Sequence, residues 1–150
     1  MKKKQLFMAA LLILAISGIP LSAKALDSIN VVYQVDPSYE VLIPTDAEIP
    51  FMAENTTYGT IQIKEAVLEA DKCILVKMNS GGVLINEENP DATIPYRILC
   101  DGKPFTEQTY TKAGEETKLD ISINKEDWKK AAGGTYKTAI TFTISYVDKE

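Results

Sequence analysis

Histidine is absent from this sequence of 150 residues, and its absence excludes more chemistry than any residue present suggests. Without it there is no Ser-His-Asp or Cys-His constellation, no HExxH zinc site and no His-ligated haem. Cysteine is scarce: two thiols, Cys73 and Cys100, cannot make a four-thiolate zinc or iron–sulfur site. No GxSxG elbow, phosphate-cradling glycine loop or EF-hand pattern occurs. Long apolar runs are lacking after residue 19, and no repeat, low-complexity tract or linker follows residue 30. No catalytic residue, cofactor or metal-ligand set is therefore expected, and the chain reads as non-enzymatic.

The one long apolar run has the wrong flanks for a membrane span. Lys2, Lys3 and Lys4 precede it, it extends from Leu6 to Ile19, and Pro20 and Ser22 lead to Ala23-Lys24-Ala25. A basic start, a short apolar stretch and an A-x-A site make the three-part layout of a secretory signal peptide. The stretch is shorter than the ~20 residues a spanning helix needs. Residues 1–25 are expected to be a signal peptide removed after Ala25, and residues 26–150 a single domain, secreted or held at the cell surface. No cysteine follows the run for a lipid anchor, and residues 145–150 carry no hydrophobic tail. No membrane insertion is expected after cleavage. Losing Lys2, Lys3, Lys4 and Lys24 leaves 12 basic residues against 21 acidic ones, a net charge of −9. A field of that sign repels nucleic acid and anionic lipid. The expected partners are other surface proteins or cell-wall components.

From residue 26 onward, short strand signals alternate with turn signals. Ile29, Val31, Tyr33 and Val35 share one parity, and Tyr39–Ile43 follows the Asp36-Pro37-Ser38 turn. Thr60–Lys64 comes next, then Lys72–Met78 with Ile74, Val76 and Met78 on one face and Cys73, Leu75 and Lys77 on the other. Asn79-Ser80-Gly81-Gly82 is turn chemistry, so Ser80 reads as a turn residue. Ile94–Cys100 sets Tyr96, Ile98 and Cys100 against Arg97 and Leu99, ahead of the Asp101-Gly102 turn. Leu119, Ile121 and Ile123 alternate with polar neighbours. In the last strand Ile140, Phe142, Ile144 and Tyr146 are expected to point inward, and Thr141, Thr143 and Ser145 outward. That strand is expected to be central to the fold. One helical turn is expected over Lys125–Ala132, with Asn124 as N-cap, Asp127 at N3, Trp128 plugging the core and Gly133-Gly134 ending it.

The expected class is all-β: an immunoglobulin-like antiparallel β-sandwich with one short helical turn before the last strand. Within it, Cys73 and Cys100 are a candidate disulfide pair for an exported chain. Strand parity sets them on different faces unless a bulge intervenes between Cys73 and Lys77. The acidic loop Asn86-Glu87-Glu88-Asn89-Pro90-Asp91 is oxygen-rich but matches no defined calcium loop.

Two stretches carry a resemblance. Val35-Asp36-Pro37-Ser38-Tyr39-Glu40-Val41-Leu42-Ile43-Pro44 resembles the Y-x-V-x-I-P opening of small exported β-sandwich proteins of Gram-positive bacteria. Residues 132–145, AGGTYKTAITFTIS, are similar to their final strand. WxL-type surface proteins share this layout, though no W-x-L motif occurs here, and chaperone–usher pilins and the spore coat protein U group end similarly. The resemblance implies a non-enzymatic surface or adhesion module. In that bacterial setting the Asn55-Thr56-Thr57 glycosylation pattern is coincidental. Three functional readings follow: a structural or adhesive module acting by surface recognition; a glycan-binding protein or carboxylate-dependent hydrolase, which needs two carboxylates in a cleft beside exposed aromatics; and a pilin-like subunit that polymerises by donating residues 26–35 as a strand.

Overall fold

A computed structural model describes residues 34–150. The expected signal peptide, residues 1–25, and residues 29–33 of the first expected strand lie outside the described residues, and Gln34 and Val35 are not in a strand. The described chain contains β1 (Ser38–Leu42), β2 (Asn55–Val67), β3 (Lys72–Ser80), β4 (Val83–Asn86), β5 (Thr93–Pro95) and β6 (Arg97–Cys100). It continues with β7 (Lys103–Pro104), β8 (Glu107–Tyr110), β9 (Glu116–Ser122), α1 (Lys125–Lys130), β10 (Tyr136–Lys137) and β11 (Ile140–Asp148). The strands form three sheets, ordered β1-β2-β9-β6-β7, β11-β3-β8 and β10-β4-β5. Every pairing is antiparallel. The fold is all-β and sandwich-like, with one short helix.

Period-2 alternation places one face of each sheet in a shared core. Ile61 and Ile63 of β2, Leu119 and Ile121 of β9 and Ile98 of β6 come from the first sheet. Ile74 and Val76 of β3 with Tyr110 of β8 come from the second, and Leu84 and Ile94 from the third. β-branched side chains dominate because they suit a pleated, half-buried surface. Tyr110 carries its hydroxyl into this core by donating to Thr117 Oγ1 at 2.7 Å, so neither oxygen is left without a partner.

Several local expectations are corrected. Ile94–Cys100 is not one strand: it divides at Tyr96 into β5 and β6, which belong to different sheets. Pro95 has no N–H to give a ladder, and the Tyr96 N–H instead bonds the Gly82 carbonyl at 2.9 Å. Ile94, Tyr96 and Ile98 all stay buried, so the alternation survives while the pairing changes. β2 is longer than expected and starts at Asn55, its register shifting between Thr57 and Gly59. The Asp101-Gly102 turn stands as read. Both residues have positive φ, 50° and 76°, as a two-residue I′ hairpin between β6 and β7 requires.

The helical turn is shorter and is not ended by glycine. Asn124 occupies the N-cap position, yet its side chain caps no backbone N–H. Its Oδ1 accepts from Arg97 at 3.3 Å and its Nδ2 donates to Asp127 Oδ2 at 3.1 Å. The helix stops because Ala131 turns extended, at φ −65° and ψ 132°. The two glycines have different roles. Gly134 sits at φ +137°, and a Cβ there would collide with the Asn86 side-chain amide, whereas a Cβ on Gly133 would meet open space. Gly134→Val is therefore expected to cost about 2 kcal/mol or more from the forbidden backbone region alone. Gly133→Val should stay within about 0.5 kcal/mol. Urea denaturation midpoints of the two variants check the distinction.

The largest correction concerns the last strand. β11 lies at the edge of its sheet, not at its centre. Ile140, Phe142, Ile144 and Tyr146 have the inward parity, but none of them reaches full burial.

Candidate functional site

The residues singled out in the sequence are not brought together. Cys73 and Cys100 stand as separate thiols. Cys100 packs against the core beside Ile98. Cys73 lies on the face of β3 opposite Ile74 and Val76, and the β3–β11 register runs unbroken from Lys72 to Ser80, with no bulge to turn it round. Cys73 Sγ instead approaches the Asp148 carbonyl at 3.8 Å. Burial, with Asp101 as the next cause, pushes the Cys100 thiol up, which favours its protonated form. Ser80 is not a turn residue as expected but the last residue of β3, paired with Ile140; its hydroxyl accepts from the Gly82 N–H at 3.2 Å and shares a 2.8 Å hydrogen bond with the Tyr96 hydroxyl.

The acidic loop is organised from within by Asn86, which is 1% exposed. Its Oδ1 accepts the N–H groups of Glu88 (2.9 Å) and Asn89 (3.0 Å), and its Nδ2 donates to the Gly133 carbonyl (3.2 Å). Glu87 is paired with Lys137 at 2.7 Å. Among the described residues no three acidic or thiol side chains converge as a metal site would require. Asn86 is part of the acidic loop read from the sequence, but its organising role is not legible there because it depends on Gly133, 47 positions away.

Two surface features emerge instead. The first is the outer edge of β11. Along nine residues it pairs with β3 without irregularity, and no described strand pairs with its other side. Ile144 faces the interlayer space opposite Val76; Val76 is 0% exposed but Ile144 is 37% exposed. At the edge of the other sheet, Tyr39 and Ile43 on and beside β1 are exposed as well. Stacked rings tie β11 to the other sheet, Tyr39 of β1 on Tyr146 with centroids 5.9 Å apart and Tyr58 of β2 on Phe142 at 6.3 Å. Tyr146 also accepts the Glu69 N–H at 2.8 Å. Between these ties Ile144 is left partly exposed, while Ile63 and Val76 behind it remain fully buried.

The second feature is a groove of about 890 Å³ between residues 44–51 and residues 134–140. One end is built by the Pro50–Ala53 turn, closed by a 3.0 Å hydrogen bond from the Ala53 N–H to the Pro50 carbonyl. Met52 takes φ +65° there, in the position where such a turn ordinarily wants glycine. The turn presents Phe51, which is 81% exposed, with its ring 5.7 Å from Trp128 in an edge contact. Trp128 is the core plug expected of it, and it adds a tie by donating Nε1–H to the Ala53 carbonyl at 2.8 Å. Asp46 and Glu48 line the groove with Tyr58 and Tyr136, so carboxylates do lie in a cleft beside aromatic rings.

Burial, with Tyr96 and Asp46 adding to it, pushes the Tyr58 phenol above its ordinary value of 10.0. Burial likewise raises Tyr110, although its hydrogen bond to Thr117 acts in the opposite direction. A phenol that holds its proton more tightly when folded contributes stability below its unfolded pKa and loses it as pH rises through the folded one. Stability should therefore fall as pH climbs past 10, and Tyr58→Phe and Tyr110→Phe should flatten that fall. Denaturant midpoints across alkaline pH provide the check.

No protein-family model matches this sequence, and no curated protein matches it either.

Proposed function

We propose that the chain is exported and, once residues 1–25 are removed, works as a non-enzymatic structural or adhesive cell-surface module that acts by surface recognition. The observation that supports this best is the open edge of β11, with inward-facing Ile144 left over a third exposed. A long free strand edge is a ready template for pairing with another chain, and proteins usually blunt or cover it. Its partners are other surface proteins or cell-wall components. Export is tested by N-terminal sequencing of the secreted protein, which should begin at Leu26; recovery of an intact Met1 species from the cytosol alone contradicts it. Turnover of a wall polymer by the purified mature protein contradicts the non-enzymatic reading.

The same edge favours a second reading, in which the module polymerises. Residues 26–35 of a neighbouring copy add a strand beyond β11, so that Ile29, Val31, Tyr33 and Val35, all of one parity, cover Ile144 and the inner side of β1. Size-exclusion chromatography with light scattering on the mature protein should show oligomers. These should become monomers in Val31→Asp/Tyr33→Asp. A stable wild-type monomer contradicts strand donation and leaves recognition of a different partner.

A further inference from the structure

The groove bounded by residues 44–51 and 134–140 is separate from strand addition at β11 and serves a different kind of contact. We propose that it docks an extended segment of a partner protein in which apolar residues alternate with Lys or Arg.

Backbone availability is the first argument. Residues 44–49 form one wall and make no backbone hydrogen bond to any other described residue. On the opposite wall, Tyr136 and Lys137 of β10 pair on one side only, with Asn86 and Ile85, and their other side meets no described strand. Backbone groups left without a partner beside a groove are available to bond an extended chain laid against them, as in β-strand addition. A volume of about 890 Å³ accommodates several residues of such a chain.

Side chains supply the second argument. Ile49 and Leu84 offer apolar contact within the groove, and the exposed Phe51 ring stands at its end. Charge decides which segment fits. The one lysine that lines the groove, Lys137, is already paired with Glu87 at 2.7 Å. Asp46 and Glu48 have no ion-pair partner among the described residues. The groove therefore presents net negative charge beside aromatic faces, an arrangement that attracts an ammonium or guanidinium both by Coulomb attraction and by the ring quadrupole. The positive φ at Met52 holds the Phe51 turn in this position, a strain of the kind found at binding sites.

Trp128 lines the groove and is the chain's one tryptophan, so its emission reports occupancy directly. The probe is a capped hexapeptide of alternating Val and Lys, titrated against the full chain. A capped Val and Glu hexapeptide and a chito-oligosaccharide serve as comparisons. The Val and Lys peptide should shift the emission saturably and more weakly at high salt, while the other two should not. Asp46→Asn/Glu48→Gln should weaken binding about tenfold, and so should Phe51→Ala. All three side chains are exposed, and circular dichroism of the variants confirms that folding is retained. Equal binding of both peptides, unchanged binding by the double variant, a response to the oligosaccharide alone, or no response to any probe overturns the proposal.

Discussion

Truncating Ile74 to alanine should lower the unfolding free energy by about 2–5 kcal/mol, the range for removing a large aliphatic side chain from a packed core. Ile74 is fully buried in the central strand of its sheet, flanked by β8 on one side and β11 on the other. Ile144 shares its parity and sits one strand away, yet it is more than a third exposed. Ile144→Ala in a monomeric preparation should therefore cost about 1 kcal/mol or less, since little apolar area is newly lost from burial. Phe142 is half-buried and stacked on Tyr58, so its truncation falls between the two. Thr143, on the outer face, should matter least. Urea denaturation of these variants measures the gradient from centre to edge. If Ile144→Ala matches Ile74→Ala, the β11 edge is already covered in the preparation.

Asn86→Ala should be comparably damaging for a different reason. The side chain, itself 1% exposed, satisfies two N–H groups of its own loop and the Gly133 carbonyl at once. Deleting it strands all three, at about 1–3 kcal/mol for each group that water does not reach, so a total near 3 kcal/mol or more is expected. Asn86→Asp is the informative companion. It keeps the acceptor for Glu88 and Asn89 but sets a carboxylate against the Gly133 carbonyl in place of a donor. It should recover part of the loss at low pH, where a protonated carboxyl can donate again. Chemical denaturation at two pH values decides this; equal losses for both variants at both pH values would mean that the Gly133 contact is unimportant.

The alternation of Leu119, Ile121 and Ile123, and of Ile74 and Val76, made the core visible in the sequence because a pleated strand with one buried face writes its burial at period two. The same pattern misled at β11. Ile140–Tyr146 alternates as cleanly as any central strand, but alternation reports which way a side chain points and not whether a neighbouring strand covers it. β8 went unseen because Glu107-Gln108-Thr109-Tyr110 carries a single buried residue at its end. The division at Tyr96 depended on Gly82, and the Asn86 loop on Gly133, both pairings that no local window contains. The groove was less legible still. Its walls come from irregular backbone at 44–49 and a two-residue strand, and only the unpaired state of Asp46 and Glu48 in three dimensions gives it a charge.

The measurement that bears most directly on the role of the open edge is amide hydrogen exchange over residues 140–148 of the mature protein, compared with Val31→Asp/Tyr33→Asp. Amides of β11 already bonded to β3 should be protected in both proteins. Strand donation predicts that the outward amides are protected in the wild type and exchange freely in the variant. Free exchange of the outward amides in the wild type, or equal protection in both proteins, would contradict strand addition at this edge.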